Sequence, residues 1–331
     1  MEITIWLRHA VAFHPRGYYR LARTLARRFS VSVWGRPFPP ACVEGPLQPY
    51  IDKVVWSQLS TPPQDISTYT DWRGIPPVTG VLIAMHPLDI PWAFLRGRSP
   101  LLWDVWEDYE ANFRFEPAYS FPGRVVRRGI WTFLRLWLSR VRSYSLAEYP
   151  YTLRFPARRS RVFPNAFIEV ESAPPLLPHL AGQYALYSGN ITWSWGIAEA
   201  VSHALQHPNM PLVIAGSIKD KKIASWLRTQ LAHHSRWLLI HASFLPYPLI
   251  QNLQRYARFL YAFYQPLPHL REKIPGKFYE AAVLGVPVLY TEGVSIVWDS
   301  FWQLYRREGV QPWHKWSYYE NELLKWMGEL L

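Results

Sequence analysis

His269-Leu-Arg-Glu272-Lys-Ile-Pro275-Gly276-Lys277-Phe-Tyr-Glu280-Ala-Ala-Val-Leu-Gly285-Val-Pro287-Val288 lies late in the chain and carries three local signals at once. Pro275-Gly276 ends a loop, because proline fixes its own backbone angle and glycine frees the next. A periodic run from about Lys277 predicts a short helix, Gly285 stops it, and the apolar run 286–290 reads as a buried strand. A helix N-terminus exposes unpaired N–H groups and a partial positive charge, so Gly276 and Lys277 suit a phosphate, Lys277 adding a full charge. Glu280, about one turn further in, reaches past the phosphates to a vicinal diol such as a ribose. Glu272, with seven residues between it and Glu280, faces the same small volume.

On either side of this stretch the C-terminal half alternates β-rich runs with helical patterns. Residues 184–188, 211–215, 237–241, 258–263 and 286–290 read as strands, and 194–206, 219–233, 247–257, 277–284 and 295–307 as helices. This alternation predicts a parallel doubly wound sheet. The N-terminal half repeats the theme with strands at 3–7, 30–34, 81–85, 101–103 and 161–163 and a basic helix after Arg16-Gly17. The proline-rich segment 37–77 reads as loops with little regular structure.

Residues 169–179 interrupt both patterns and mark the expected boundary. The expected fold class is α/β, with two Rossmann-like doubly wound domains facing a cleft. Residues 1–170 form the first, 171–311 the second, and 312–331 a terminal helix. Open parallel sheets take ligands beyond the carboxyl ends of their strands, so the cleft is where a ligand belongs.

At 331 residues, nearly half of them apolar, the chain can fill two cores and is not a disordered polymer. A single cysteine, Cys42, excludes an internal disulfide framework, and no Cys/His cluster has zinc-ligand spacing, so no metal is expected. The chain opens directly on a strand-like run and carries no apolar run of membrane-spanning length, which makes a cytoplasmic protein the expectation. A net charge of +12 calls for an anionic partner. Helix-turn-helix, zinc-finger and RNA-recognition signatures are missing, so nucleic acid is not the partner expected.

The 269–288 stretch resembles the donor-nucleotide site of GT-B glycosyltransferases, specifically the retaining GT4-like group (glycosyl transferases group 1). The signature of that group pairs two glutamates ahead of Ala-x-x-x-Gly-x-Pro-Val. The resemblance implies that Glu280 binds the ribose of a nucleotide sugar and that Glu272 lies beside the transferred sugar. Glu272-Lys-Ile-Pro-Gly-Lys277 stands where the group has Glu-Gly-Phe-Gly, which looks like a variant branch. It also implies that the last helix crosses back to the N-terminal domain.

Other segments fit the same resemblance. Ser188-Gly189-Asn190 resembles the glycine turn facing the donor diphosphate, although Trp195-Gly196 stands where the group often has a lysine before glycine. Ala215-Gly216-Ser217 resembles a turn near the nucleobase. His14-Pro15-Arg16-Gly17 occupies the loop that contacts acceptor and donor phosphate, which makes Arg16 and Gly17 acceptor-side candidates. His86, at the end of the 81–85 run, resembles a histidine that touches the donor sugar and the reacting centre. Asp104 and Glu107 fall on the next strand, which lines the acceptor pocket, and Pro164-Asn165 resembles an architectural Pro-Asn.

Arg16, Arg20, Arg23 and Arg27 recur at helical spacing and predict a basic stripe. Residues 124–142 interleave arginines with Ile130, Trp131, Phe133, Leu134, Trp137 and Leu138, a pattern suited to an anionic inner leaflet. The expected function is retaining, metal-independent transfer of a sugar from a nucleotide diphosphate sugar to a hydroxyl acceptor. That acceptor is a glycan or lipid-linked saccharide of envelope polysaccharide synthesis. Two alternatives stand beside it: a nucleotide-sugar epimerase of the same fold, and a non-catalytic degenerate GT-B binding protein.

Overall fold

The computed structural model describes residues 2–70, 80–95, 102–111, 121–271 and 273–331. In β1 (Glu2–Val11) the side chains of Ile3, Thr4, Ile5, Trp6 and Leu7 are all buried, as a strand covered on both faces requires. β1 belongs to a parallel sheet of order β4-β2-β1-β5-β6-β7-β8. Its other strands are β2 (Ser30–Arg36), β4 (Ser67–Tyr69), β5 (Val81–Ala84), β6 (Leu102–Val105), β7 (Ser143–Leu146) and β8 (Ser160–Val162).

The second sheet has the order β13-β12-β9-β10-β11-β3. It contains β9 (Ala185–Ile191), β10 (Leu212–Ile218), β11 (Trp237–His241), β12 (Phe259–Ala262) and β13 (Val288–Tyr290), all parallel. β3 (Cys42–Glu44) comes from the N-terminal half and adds antiparallel to β11, with Val43 opposite Ile240. One hydrophobic core runs from Ile5 and Val33 of the first sheet to Leu186 and Leu238 of the second. This is a two-domain α/β architecture of facing Rossmann-like sheets, as the sequence implies.

In both sheets the chain reverses direction beside the first strand. β1 lies between β2 and β5, and β9 lies between β10 and β12. These two switch points open crevices beyond the strand ends, and the two crevices share one cleft.

Two expectations need correction. Residues 37–70 are not irregular: they hold β3, a helix Lys53–Ser60 and β4. Most prolines of this segment fall between the elements, Pro49 instead lying in a short 3-10 helix Gln48–Tyr50, and Asp52 caps the longer helix by accepting from the Val54 and Val55 N–H groups at 2.9 and 3.0 Å. Residues 71–77 lie outside the described residues. The basic aromatic helix spans Phe121–Leu138, and the chain then enters β7, a strand with all four side chains buried that the sequence reading had no place for.

The helix Ser317–Leu330 lies against the first domain. Trp316 Nε1 donates to Thr24 Oγ1 at 2.9 Å, and Arg27 pairs with Glu320 at 2.5 Å. Among the described residues no helix is long and apolar enough to cross a membrane.

Candidate functional site in the interdomain cleft

A cavity of about 330 Å³ lies between the two sheets, lined by the ends of β1, β6 and β7 on one side and of β9 and β10 on the other. Gly189, Asn190, Gly276, Lys277 and Glu280 all line it, so the structure gathers the five donor-side candidates into one space.

The helix Gly276–Leu284 begins after Pro275, which has no side chain able to cap it, and ends at Gly285 in the left-handed region. Its leading N–H groups at Gly276 and Lys277 therefore have no intrahelical partner. The Lys277 ammonium donates to the Ser188 carbonyl at 2.6 Å and the Tyr261 carbonyl at 3.4 Å. Those carbonyls belong to β9 and β12, so Lys277 spans the switch point itself. An ammonium has three donors; two are used on these carbonyls, and Nζ also lies 5.4 and 5.2 Å from the Tyr187 and Tyr264 ring centroids. Burial lowers the Lys277 pKa to about 8, with Glu280 acting the other way.

Gly189 holds φ +112°, a conformation side chains rarely adopt, and a Cβ there would sit 4.0 Å from Lys277 Nζ. Its neighbour Gly216 is glycine for a packing reason, since a Cβ would lie 1.7 Å from the Gly189 carbonyl oxygen. Gly196 is likewise forced, because its φ is +80° and a Cβ would meet the Phe263 carbonyl at 1.7 Å. Where the resemblance implies a lysine, Lys273 supplies a cation from the opposite direction: its Nζ lies 5.2 Å over the Trp195 ring and lines the cavity.

Glu280 is buried and held on both oxygens. Tyr247 donates to Oε1 at 3.0 Å and Gln254 Nε2 to Oε2 at 2.8 Å. A carboxylate only accepts, which fixes the Gln254 amide with its NH₂ toward Glu280. Gln254 Oε1 is then a buried acceptor without a partner among the described residues, as is Ser217 Oγ. Two acceptors, Glu280 and Gln254, thus stand side by side for a pair of hydroxyls. Tyr247, Gln251 and Gln254 share one face of the helix Tyr247–Arg255, a signal lost in sequence among ordinary helix residues.

The acceptor side differs from expectation. Arg16 and Asp104 are almost fully buried and bind each other, Nε to Oδ2 at 2.5 Å and Nη2 to Oδ1 at 2.7 Å. The remaining Arg16 donors reach the Phe163 carbonyl at 2.7 Å, Asn165 Oδ1 at 3.3 Å and Ser145 Oγ at 3.1 Å. All five guanidinium N–H groups are satisfied, so Arg16 lines the cleft as a brace tying β6, β7 and β8 together. Gly17 is buried with its Cα side against Leu7, where a Cβ would approach Cδ1 to 2.8 Å, and touches no ligand space. Neither Arg16, Gly17 nor Asp104 is a free acceptor contact.

The basic stripe dissolves for the same reason. The segment Pro15–Ala22 winds as a π-helix that turns Arg16 and Arg20 inward. Arg20 donates to the Ala166 carbonyl at 2.8 Å and lies 5.8 Å over the Tyr247 ring, still lining the cleft. Arg23 pairs with Asp65 at 2.8 Å.

Glu107, the remaining acceptor-side candidate of the resemblance, lines the cavity and is half-buried. His86 sits just past β5, with its Nδ1 accepting from the Leu88 N–H at 3.2 Å and its ring 5.1 Å from Tyr109, and it is not among the residues lining the cavity. Glu272 lies outside the described residues.

Two further cleft residues, besides Tyr247 and Gln254, escaped the sequence reading. His14 Nδ1 accepts from the Arg16 N–H at 3.3 Å, so the ring carries its proton on Nε2. Burial, then Arg20 and Arg16, hold its pKa well below the usual histidine value. Glu148, past the end of β7, accepts from the Ile274 N–H at 3.2 Å across the cleft. Burial pushes its pKa up to about 8, against the lowering effect of that N–H, Lys273 and Arg16. Recognising β7 would have placed Glu148 at a strand end.

Among the described residues one group, Cys42, Glu44 and His241, has metal-ligand types within reach of one another. Glu44 there is already bound by Arg228 through both oxygens, at 2.7 and 2.8 Å, and by His241 at 2.7 Å.

No protein-family model matches the chain, and no curated protein matches it by sequence. Solved structures do. A putative UDP-N-acetylglucosamine 2-epimerase from Listeria monocytogenes, 13% identical, superposes with a TM-score of 0.50 over 99% of this chain and 87% of that one. AviGT4, a glycosyltransferase involved in avilamycin A biosynthesis, is 12% identical with a TM-score of 0.47, covering 100% of this chain and 96% of its own. An α,α-trehalose-phosphate synthase (UDP-forming) from Burkholderia vietnamiensis is 10% identical with a TM-score of 0.48, covering 100% and 99%. At these identities the likeness is one of fold, and with the sheet topology it defines the chain as GT-B in architecture.

Proposed function

We propose that the chain is a retaining glycosyltransferase of the GT4-like group, moving a sugar from a nucleotide diphosphate sugar to a hydroxyl acceptor. The observation that carries this reading is the position of Lys277. Its ammonium spans the switch point of the second sheet, beside an uncapped helix N-terminus and within the same cavity as the Glu280–Gln254 acceptor pair.

In this reading residues 171–311 hold the donor, residues 1–170 the acceptor, and 312–331 tie the two together. The diphosphate lies against the Gly276 and Lys277 N–H groups, the Lys277 ammonium and Gly189-Asn190, with Lys273 as an added cation. The ribose hydroxyls donate to Glu280 and Gln254. As the glycosidic C–O bond breaks, charge grows on the β-phosphate, and fixed N–H groups with Lys277 stabilise it without a metal. The departing phosphate takes the acceptor proton in a same-face substitution. By the resemblance Glu272 positions the sugar, and Glu107, which lines the cavity, orients the acceptor, while His86, outside the cavity lining, takes no part in this reading.

The acceptor in this reading is a glycan or lipid-linked saccharide of envelope polysaccharide synthesis, met by a cytoplasmic enzyme at an anionic inner leaflet. The helix Phe121–Leu138 supports the last point: Val125, Val126, Phe133 and Leu136 are exposed on one arc, beside exposed Arg128 and Arg135.

Glu148 favours a second reading. A cleft carboxyl that keeps its proton to about pH 8 can act as a general acid, which suits a nucleotide-sugar epimerase of the same fold. Product analysis separates the readings. With nucleotide sugars and a saccharide acceptor, transfer releases nucleoside diphosphate and leaves the anomeric configuration unchanged by NMR. An epimerase converts the nucleotide sugar without needing the acceptor, and a degenerate binding protein leaves it untouched.

A further inference from the structure

A second cavity, of about 690 Å³, opens in the first domain between β6, β7 and the helix Phe121–Leu138. It shares one lining residue, Glu107, with the cleft. Its volume falls in the range that holds small ligands, and the chemistry described above leaves it unused.

Its walls are aromatic and charged in a definite arrangement. Tyr109, Trp131, Tyr144, Tyr151 and Phe155 offer ring faces and edges of the kind on which the C–H faces of a sugar pack. Tyr109 and Tyr144 spend their hydroxyls on the Met85 and Leu138 carbonyls, at 3.4 and 2.8 Å. The Tyr151 hydroxyl is buried and has no partner among the described residues. A buried hydroxyl left without a hydrogen bond costs stability, and a ligand in the cavity would satisfy it.

The lining carries Glu107, Asp108 and Glu110 together with Arg135, Arg154 and Arg159. Asp108 and Arg154 bind each other. Arg159 donates Nε to the Arg142 carbonyl at 2.6 Å and lies 5.6 Å over the Tyr144 ring, while its terminal nitrogens remain unpaired among the described residues. Arg135 joins it from the helix. Glu107 lines both this cavity and the cleft.

We propose that this cavity binds an anionic saccharide, with its phosphate or carboxylate on Arg135 and Arg159, its ring against the aromatic wall and the Tyr151 hydroxyl, and its far hydroxyl at Glu107. The proposal deepens the glycosyltransferase reading, because it gives the acceptor its class and its orientation. The anionic end lies beside the helix with the exposed apolar arc, and the hydroxyl end meets the cleft.

The test is calorimetric titration of the full chain with the 1-phosphates of glucose, galactose, mannose and N-acetylglucosamine, with the matching neutral methyl glycosides, and with inorganic phosphate. At least one sugar phosphate should bind more tightly than its neutral glycoside and than phosphate alone. Tyr151→Phe and Arg159→Gln should each weaken that binding about five- to tenfold. Tyr151→Phe should do so with an unchanged or higher Tm, since the lost hydroxyl bonds nothing among the described residues. The decyl ester of the same sugar phosphate distinguishes sources: tighter binding marks a lipid-linked ligand, equal binding a soluble one. Binding of no sugar phosphate, or binding indifferent to both variants, overturns the proposal. Titration with nucleoside diphosphates in the same series tests the cleft separately, so failure of either site is read on its own.

Discussion

Lys277 Nζ donates to the Ser188 carbonyl oxygen at 2.6 Å, which fastens the start of one helix to the middle of β9 in the second sheet. The contact places a cation where an open parallel sheet already concentrates ligand binding. Because burial sets the Lys277 pKa at about 8, nucleoside diphosphate affinity should be strong at pH 7 and fall as pH rises through 8. Lys277→Met should remove that pH dependence and weaken binding about tenfold or more. Dissociation constants at pH 7 and pH 9 check both statements. Stability moves the other way: the folded pKa lies below the unfolded value of 10.5, so the cost of burying the charge is relieved as pH rises from 8 toward 10.5.

Arg16 and Asp104 should prove to be architecture. Asp104→Ala strands a guanidinium that is 1% exposed, and breaking such a buried pair costs about 3–5 kcal/mol. Urea unfolding should register that loss. A variant with unchanged stability and selectively lost acceptor binding would return Asp104 to the acceptor site.

Glu148 ties the domains through the Ile274 N–H and holds its proton to about pH 8, above the ordinary carboxyl value of 4.5. The sign follows directly. Its contribution to stability is full below pH 4.5 and is lost as pH rises to 8, because the unfolded chain ionises first. Glu148→Gln, which cannot ionise, should match the parent in Tm at pH 4.5 and exceed it at pH 8.5. Parallel Tm profiles across that range would contradict the assignment.

In the proposed reading the helix Phe121–Leu138, with exposed Phe133 and Leu136 beside Arg128 and Arg135, lies on an anionic membrane surface. Binding to vesicles of anionic lipid should fall with salt, and each of Arg128→Glu and Arg135→Glu should weaken it by about 1 kcal/mol. Sedimentation with neutral and anionic vesicles measures this, and indifference to lipid charge would remove the membrane from the account.

Much of the fold was legible because strand and helix periods alternate cleanly from Ala185 onward and because Gly285 and Pro275 punctuate the key helix. Lys277 and Glu280 were legible for the same reason: a short-range pattern fixes where they stand. What escaped depends on distant partners. Arg16 looked free because its companion Asp104 lies 88 positions away. Gln254 and Tyr247 gain meaning only when their helix packs beside Glu280, and Glu148 only once β7 is seen. The proline-rich segment misled because most of its prolines bracket its elements, Pro49 alone entering the short 3-10 helix Gln48–Tyr50, and because β3 pairs with a strand of the other domain.

The most direct test is a thermal-shift screen of the chain and of Glu280→Ala against UDP, GDP, ADP, TDP and their common sugar conjugates. The account predicts that one nucleotide stabilises the parent, that its sugar conjugate does so as well, and that Glu280→Ala folds but loses the shift. Stabilisation that survives in Glu280→Ala, or no stabilisation by any nucleotide at millimolar concentration, would contradict the placement of the donor in this cleft.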